Sequence, residues 1–165
     1  MKKLLLIALL CAPMSVFAQK FGHVNSQDVI QAMPEYTAAR TEIENLTKQY
    51  EADLKSMQDE LQKKSENFDK EAASLPDATK TRRQQELTDL YQKIQQAYQD
   101  NQADIQKKSS EKMQAIMQKV NDAIQAIGKA GAYVYIVDVA SGLPYISETL
   151  SNDITADVKA KLGLK

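Results

Sequence analysis

His23 is the only histidine among the 165 residues and Cys11 the only cysteine, so the chain holds little material for catalysis. A lone imidazole in a short apolar stretch can act as a base or ligand, but a zinc site needs further His or Cys donors. The paired acids Glu42/Glu44 and Asp59/Glu60 could serve general acid–base work only where burial raises a carboxyl pKa, and both pairs sit in strongly polar sequence. Asn45-Leu46-Thr47 matches a glycosylation sequon, yet Leu46 falls on an apolar stripe, and the match is read as chance. No glycine lies between Gly22 and Gly128, which excludes a glycine-rich phosphate loop there. The expectation is a protein that is not an enzyme and has no cofactor.

The elements that would position these groups begin after residue 18. Lys2 and Lys3, the apolar run Leu4 to Leu10, and Val16-Phe17-Ala18 before Gln19 read as a secretory signal peptide, residues 1–18, that exports the mature protein. The rival reading is a retained anchor, which needs roughly 20 apolar residues. Cleavage removes Cys11 and with it any disulfide. Without Lys2 and Lys3 the chain carries 19 basic against 22 acidic residues. That balance favours solubility and offers nothing to nucleic acid.

From Glu35 to Ile127 there is no glycine and one proline, Pro76. Two long helices folded back at one breaker are expected over 35–127, with the turn near 74–78. The inward positions of the first arm read Tyr36, Ala39, Ile43, Leu46, Tyr50, Leu54, Met57, Leu61, Lys64, Phe68 and Ala72. Those of the second read Leu87, Tyr91, Ile94, Tyr98, Gln102, Ile105, Ser109, Met113, Ile116, Val120, Ile124 and Ile127. Both stripes keep the period of a nearly straight helix, about 3.6 residues, so the seams stay in register. Lys64, Gln102 and Ser109 interrupt them, either as solvated positions or as places where the arms flex. Ser74 with Asp77 resembles a capping box for the second arm, and Gly128 with Gly131 should end it.

The two ends of the chain, 19–34 and 128–165, carry the strands. Phe21 to Asn25 reads as a short strand, and Asn25 or Ser26 caps a helical stretch with Val29, Ile30 and Met33. Tyr133 to Val137 is the strongest strand, apolar on both faces. Ser141-Gly142 marks a turn, Leu143 to Ser147 is its expected partner strand, and Asp153-Ile154-Thr155 opens a last helix. The fold class is α+β, mostly α: a long antiparallel helical hairpin projecting from a small β-containing hub. So small a sheet wants cover and edge pairing, and self-association through Val24, Val29, Ile30, Val134 and Ile136 would supply both.

His23-Val24-Asn25, Met33-Pro34-Glu35-Tyr36, the hairpin, Tyr133 to Asp138, and Asp153-Ile154-Thr155 with Val158 and Leu162 together resemble the Skp/OmpH family of periplasmic chaperones across the whole mature chain. The resemblance implies a homotrimer with helical tentacles around a cavity, holding unfolded outer-membrane proteins without ATP. Met57, Phe68, Tyr91, Tyr98 and Met113 are adaptable or amphipathic side chains able to face such a cavity; their spacing equally makes them hairpin seam. Family members are basic, whereas this chain is mildly acidic. Its tip, residues 62–84, carries six basic against four acidic residues, which implies at most weak contact with a membrane surface. A structural envelope adaptor with one fixed partner is the alternative from another class.

Overall fold

The computed structural model describes residues 19–164; the expected signal peptide lies outside them. The order is β1 (Lys20–Val24), α1 (Ser26–Ala32), α2 (Pro34–Glu71), α3 (Asp77–Ala130), β2 (Tyr133–Asp138), a 3-10 turn (Val139–Ser141), β3 (Ser151–Asp153) and α4 (Thr155–Lys161). The chain is thus mostly helical with one three-stranded sheet. Among the described residues no helix is long and apolar enough to cross a membrane.

The arms meet as an antiparallel pair whose register never slips. Glu35 pairs with Lys119, Glu42 with Lys112, Tyr50 with Asp104 and Glu71 with Arg83. Each pair is equidistant from position 77, so two helices of equal period stay matched from root to tip. The turn differs from expectation. Pro76 itself is the N-cap of α3, in extended conformation and without a side-chain cap, and its carbonyl accepts from the Thr79 and Lys80 amides. Ser74 instead donates its hydroxyl to the Glu71 carbonyl at 2.9 Å, closing α2 rather than opening α3. A proline has no amide to offer a cap and its fixed φ suits this position.

The sheet is wholly parallel, in the order β2-β1-β3. Parallel neighbours need a crossover, and here the crossover between β1 and β2 is the entire hairpin. Leu143 to Ser147 is not a strand and does not pair with β2. The Asp138 carboxylate accepts from the Ala140 amide and from Ser26, and Gly142 follows at φ 85, so the chain turns away from a hairpin. It crosses to the far side of β1, where Ser151–Asp153 pairs with Phe21–His23. As expected, Asn25 caps α1, accepting from the Asp28 amide.

One face of the sheet is covered. Val24, Val29, Met33, Ile154 and Val158 close on Ile116, Val120 and Ala123 of α3. The base of the long helix is therefore the floor of the core, which sequence had assigned to strands and short helices alone. Between Lys20 and Phe21 the register shifts, leaving Val134 unpaired. Such a bulge puts Tyr133 and Ile136 on the same, covered face, and Val134 is 57% exposed. Gly128 stays helical, its open side filled by Ile136, while Gly131 ends α3.

A Cβ on Gly131 would lie 2.5 Å from the Tyr133 ring, whose other neighbours are core residues and the Lys20 ammonium, 4.2 Å from its centroid. Gly131→Val should lower stability by about 1–3 kcal/mol through overpacking. Urea unfolding would show a lower midpoint at unchanged slope; an unchanged midpoint would mean the ring turns aside freely.

Candidate functional site

The hairpin sorts its own side chains. Tyr36, Ala39, Ile43, Leu46, Tyr50, Leu54, Met57, Leu61, Ser65 and Phe68 of α2 are half-buried, so the stripe passes through Ser65. Lys64 is exposed and pairs with Glu60 at 2.9 Å. On α3 the residues turned inward are Leu87, Leu90, Ile94, Ala97 and Asn101, then Asp104, Ile105 and Lys108. Tyr91 and Tyr98 are each 55% exposed, and Gln102 and Ser109 are exposed as well. The expected stripe thus runs one residue off the true seam in the middle of α3.

The five residues singled out from sequence therefore divide. Met57 and Phe68 lie in the seam, and Tyr91 and Tyr98 are exposed on the flank of α3, Tyr91 at the rim of a cleft it shares with Leu61 and Ser65 of α2. Met113 borders both sides: it lines a cleft with Tyr36, Ile43 and Ile116 between the arms and an open trough of about 900 Å³ on the flank. That trough, lined also by Ile105 and Met117, is covered by no other described part of the chain. Met117 is exposed too, and sequence reading passed over it because it sits beside, rather than on, the chosen stripe. The flank from Tyr91 to Met117 is a second apolar line on a helix that needs only one to hold its partner arm.

Charge is concentrated elsewhere. The acid pairs are neutralised by lysines: Glu42 by Lys112, Glu44 by Lys48, Asp59 by Lys55 and Glu60 by Lys64. His23 lies in the central strand with Nδ1 2.8 Å from the Ser151 hydroxyl, a bridge from β1 to β3. Midway along the arms the Tyr50 hydroxyl donates to Asp104 at 2.7 Å and Lys108 donates to the same carboxylate at 2.9 Å. The tyrosine hydrogen bond, then the Lys108 bond, hold Asp104 below the ordinary carboxylate range. The Lys119 bond does the same for Glu35.

Both carboxylates are depressed in the folded chain, so what they add to stability is complete above about pH 4.5 and is lost as pH falls through their lowered values. The arms should separate at mid-height only on acidification well below about pH 4, past the lowered Asp104 value, read by energy transfer between dyes at positions 53 and 100. Asp104→Asn should flatten that response. A pH-independent distance in the parent chain would show that these bonds do not hold the arms.

At the sheet end, Val24 and Val29 are fully buried in the chain's own core, with Ile30 and Ile136 packed against it. Val134 is exposed, together with Tyr135, Leu143, Tyr145 and Leu150. The uncovered face of the sheet presents Phe21 against Tyr135, ring centroids 4.7 Å apart.

Comparison with known proteins covers nearly the whole described chain. The family model described as outer membrane protein (OmpH-like) matches residues 20–162. A Yersinia enterocolitica protein named chaperone protein Skp is 26% identical over 149 residues, spanning 90% of this chain and 89% of its own. The Pectobacterium atrosepticum protein of the same name is 25% identical over 141 residues, 86% of this chain and 84% of its own. The crystal structure of an OmpH-like protein from Caulobacter crescentus shares the fold at TM-score 0.75 and 16% identity, covering 87% of this chain and 83% of that one.

Proposed function

Because the chain belongs to the OmpH-like outer membrane protein family, we propose that it is an ATP-independent holding chaperone of the periplasm, exported by a cleaved signal peptide (residues 1–18), that keeps unfolded outer-membrane proteins from aggregating. The observation that carries this reading is the uncovered apolar flank of α3, with Tyr91, Tyr98, Met113 and Met117. Unfolded barrel strands alternate apolar and polar residues and expose many small adhesive patches. A line of adaptable side chains on a long arm meets them with many weak contacts, each exchanging quickly while the ensemble retains the client. Met57 and Phe68 act in holding the arms together, and the reading assigns no residue a catalytic step.

The proposal includes assembly as a homotrimer through the sheet end. Parallel sheets are ordinarily covered on both faces, whereas among the described residues this one is covered on one, and β2 is an edge strand. Val134, Tyr135, Tyr145 and Leu150 supply the apolar surface for that contact; Val24 and Val29 support it from within. Membrane-surface contact at the tips is weak in this reading. Lys64, Lys80, Arg82 and Arg83 all have carboxylate partners, which leaves Lys63 and Lys70 to act alone among the described tip residues.

The test dilutes several unrelated unfolded barrel proteins into stoichiometric amounts of the mature chain and weighs the same sample by native mass spectrometry. Suppressed aggregation of all of them by a trimer is the expected result. Binding of one client with indifference to the rest would favour a dedicated envelope adaptor, and a stable monomer would remove the three-fold assembly.

A further inference from the structure

Between residues 102 and 121 α3 carries six charged side chains, and none of them lines the trough on its flank. Three are engaged toward α2, Asp104 with Tyr50, Lys112 with Glu42 and Lys119 with Glu35, and Lys108 pairs with Asp104 along α3. The trough runs between two ridges of four-residue spacing. One is Gln102, Gln106, Ser110, Gln114 and Gln118; the other is Ile105, Ser109, Met113 and Met117. Of the ridge amides only Gln118 has a side-chain partner among the described residues, Asp122 at 2.8 Å.

Resting on the chaperone reading above, we propose that this trough holds an extended, uncharged stretch of client backbone, the amide ridge bonding its main chain and the methionine ridge covering alternate side chains. A carboxamide offers a donor and an acceptor together, which is what the edge of an extended chain displays at every second residue. A charged group offers only one kind. Four helical residues rise about 6 Å, and two extended residues span about 6.6 Å. The ridges run obliquely to the helix axis, which lengthens their repeat at the side-chain tips toward that of the guest. Successive amides therefore meet the same edge of one strand, and the flexible glutamine stems absorb the remainder. Main-chain bonding supplies affinity without reading sequence, and thioethers adapt to whatever side chain arrives. Salt, which weakens capture by exposed charge, should leave this mode intact.

The experiment uses the full mature chain and a fluorescent peptide of about 12 residues with alternating valine and threonine, beside a twin N-methylated at every second residue along one edge. The unmodified peptide should bind about tenfold more tightly, with little change between 0.05 and 0.5 M salt. Q102M/Q106M/Q114M should erase the difference while circular dichroism stays unchanged. Equal affinity of both peptides, or binding abolished by salt, would overturn the backbone mode, as would failure of the unmodified peptide to bind. A changed native mass in the triple variant would overturn it in favour of a helix from a second copy. The barrel aggregation assay on the same sample separates these failures: suppression without peptide discrimination removes only the trough, and no suppression removes the chaperone reading as well.

Discussion

Truncation of Ile154 to alanine is expected to lower stability by about 2–5 kcal/mol, much of the 5–15 kcal/mol that holds a typical domain. Ile154 is fully buried in a cluster of only eight buried residues, with Val24, Val29, Val120 and Val158 among them. Its amide donates to the His23 carbonyl at 2.9 Å, so the side chain fills the core at the point where the backbone ties β3 to β1. So small a cluster has few neighbours able to collapse into the space left behind. Chemical unfolding of I154A against I94A makes the comparison. Ile94 is also buried, but on an arm, where a vacated site opens toward solvent, and its truncation should cost less. Equal costs would mean that the arms and the sheet end share one cooperative core.

The second large effect is on client capture. On the chaperone reading proposed above, Tyr91→Ala with Tyr98→Ala should weaken retention of an unfolded barrel about tenfold or more, since a few exposed aromatic anchors carry most of the energy at such surfaces. Thermal stability should move little, because more than half of each tyrosine is exposed. Met57→Ala with Phe68→Ala should do the reverse: lower the melting temperature and leave capture close to normal in the cold. If the seam pair abolishes capture while the tyrosine pair does not, the client enters between the arms and the flank of α3 is bystander surface.

The hairpin was legible because period is a collective property. Ten or more apolar positions per arm fix the helix, and one proline in 93 residues fixes the turn. Facing was harder to read. Leu90 and Tyr91 are adjacent, as are Ala97 and Tyr98, and either member satisfies the spacing. Preference for bulk selected the tyrosines, whereas the structure turns Leu90 and Ala97 inward. The charges carried a further signal: Glu35–Lys119 and Glu42–Lys112 pair in the register the arms adopt.

The strands show a different failure. Tyr133–Asp138 was readable from composition, but Ser151–Asp153 has poor strand propensity and is extended because β1 offers it an edge. Leu143 to Ser147 has the better local pattern and no partner strand among the described residues. Strand formation at this end is a property of neighbours more than of sequence. The five residues assigned to the client split for the same reason, since exposure depends on a partner arm that a single stripe does not reveal.

Every cross-arm pair is equidistant from one point in the turn, and this makes reach an adjustable dimension. Removing equal stretches of about 11 residues at matched heights, three near-integral turns of each rod, would return each surviving pair to its own mate. The telescoped chain would keep its footing and lose only depth. Lineages carrying this architecture could thus change the reach of the arms by paired insertion or loss, without rebuilding the sheet end.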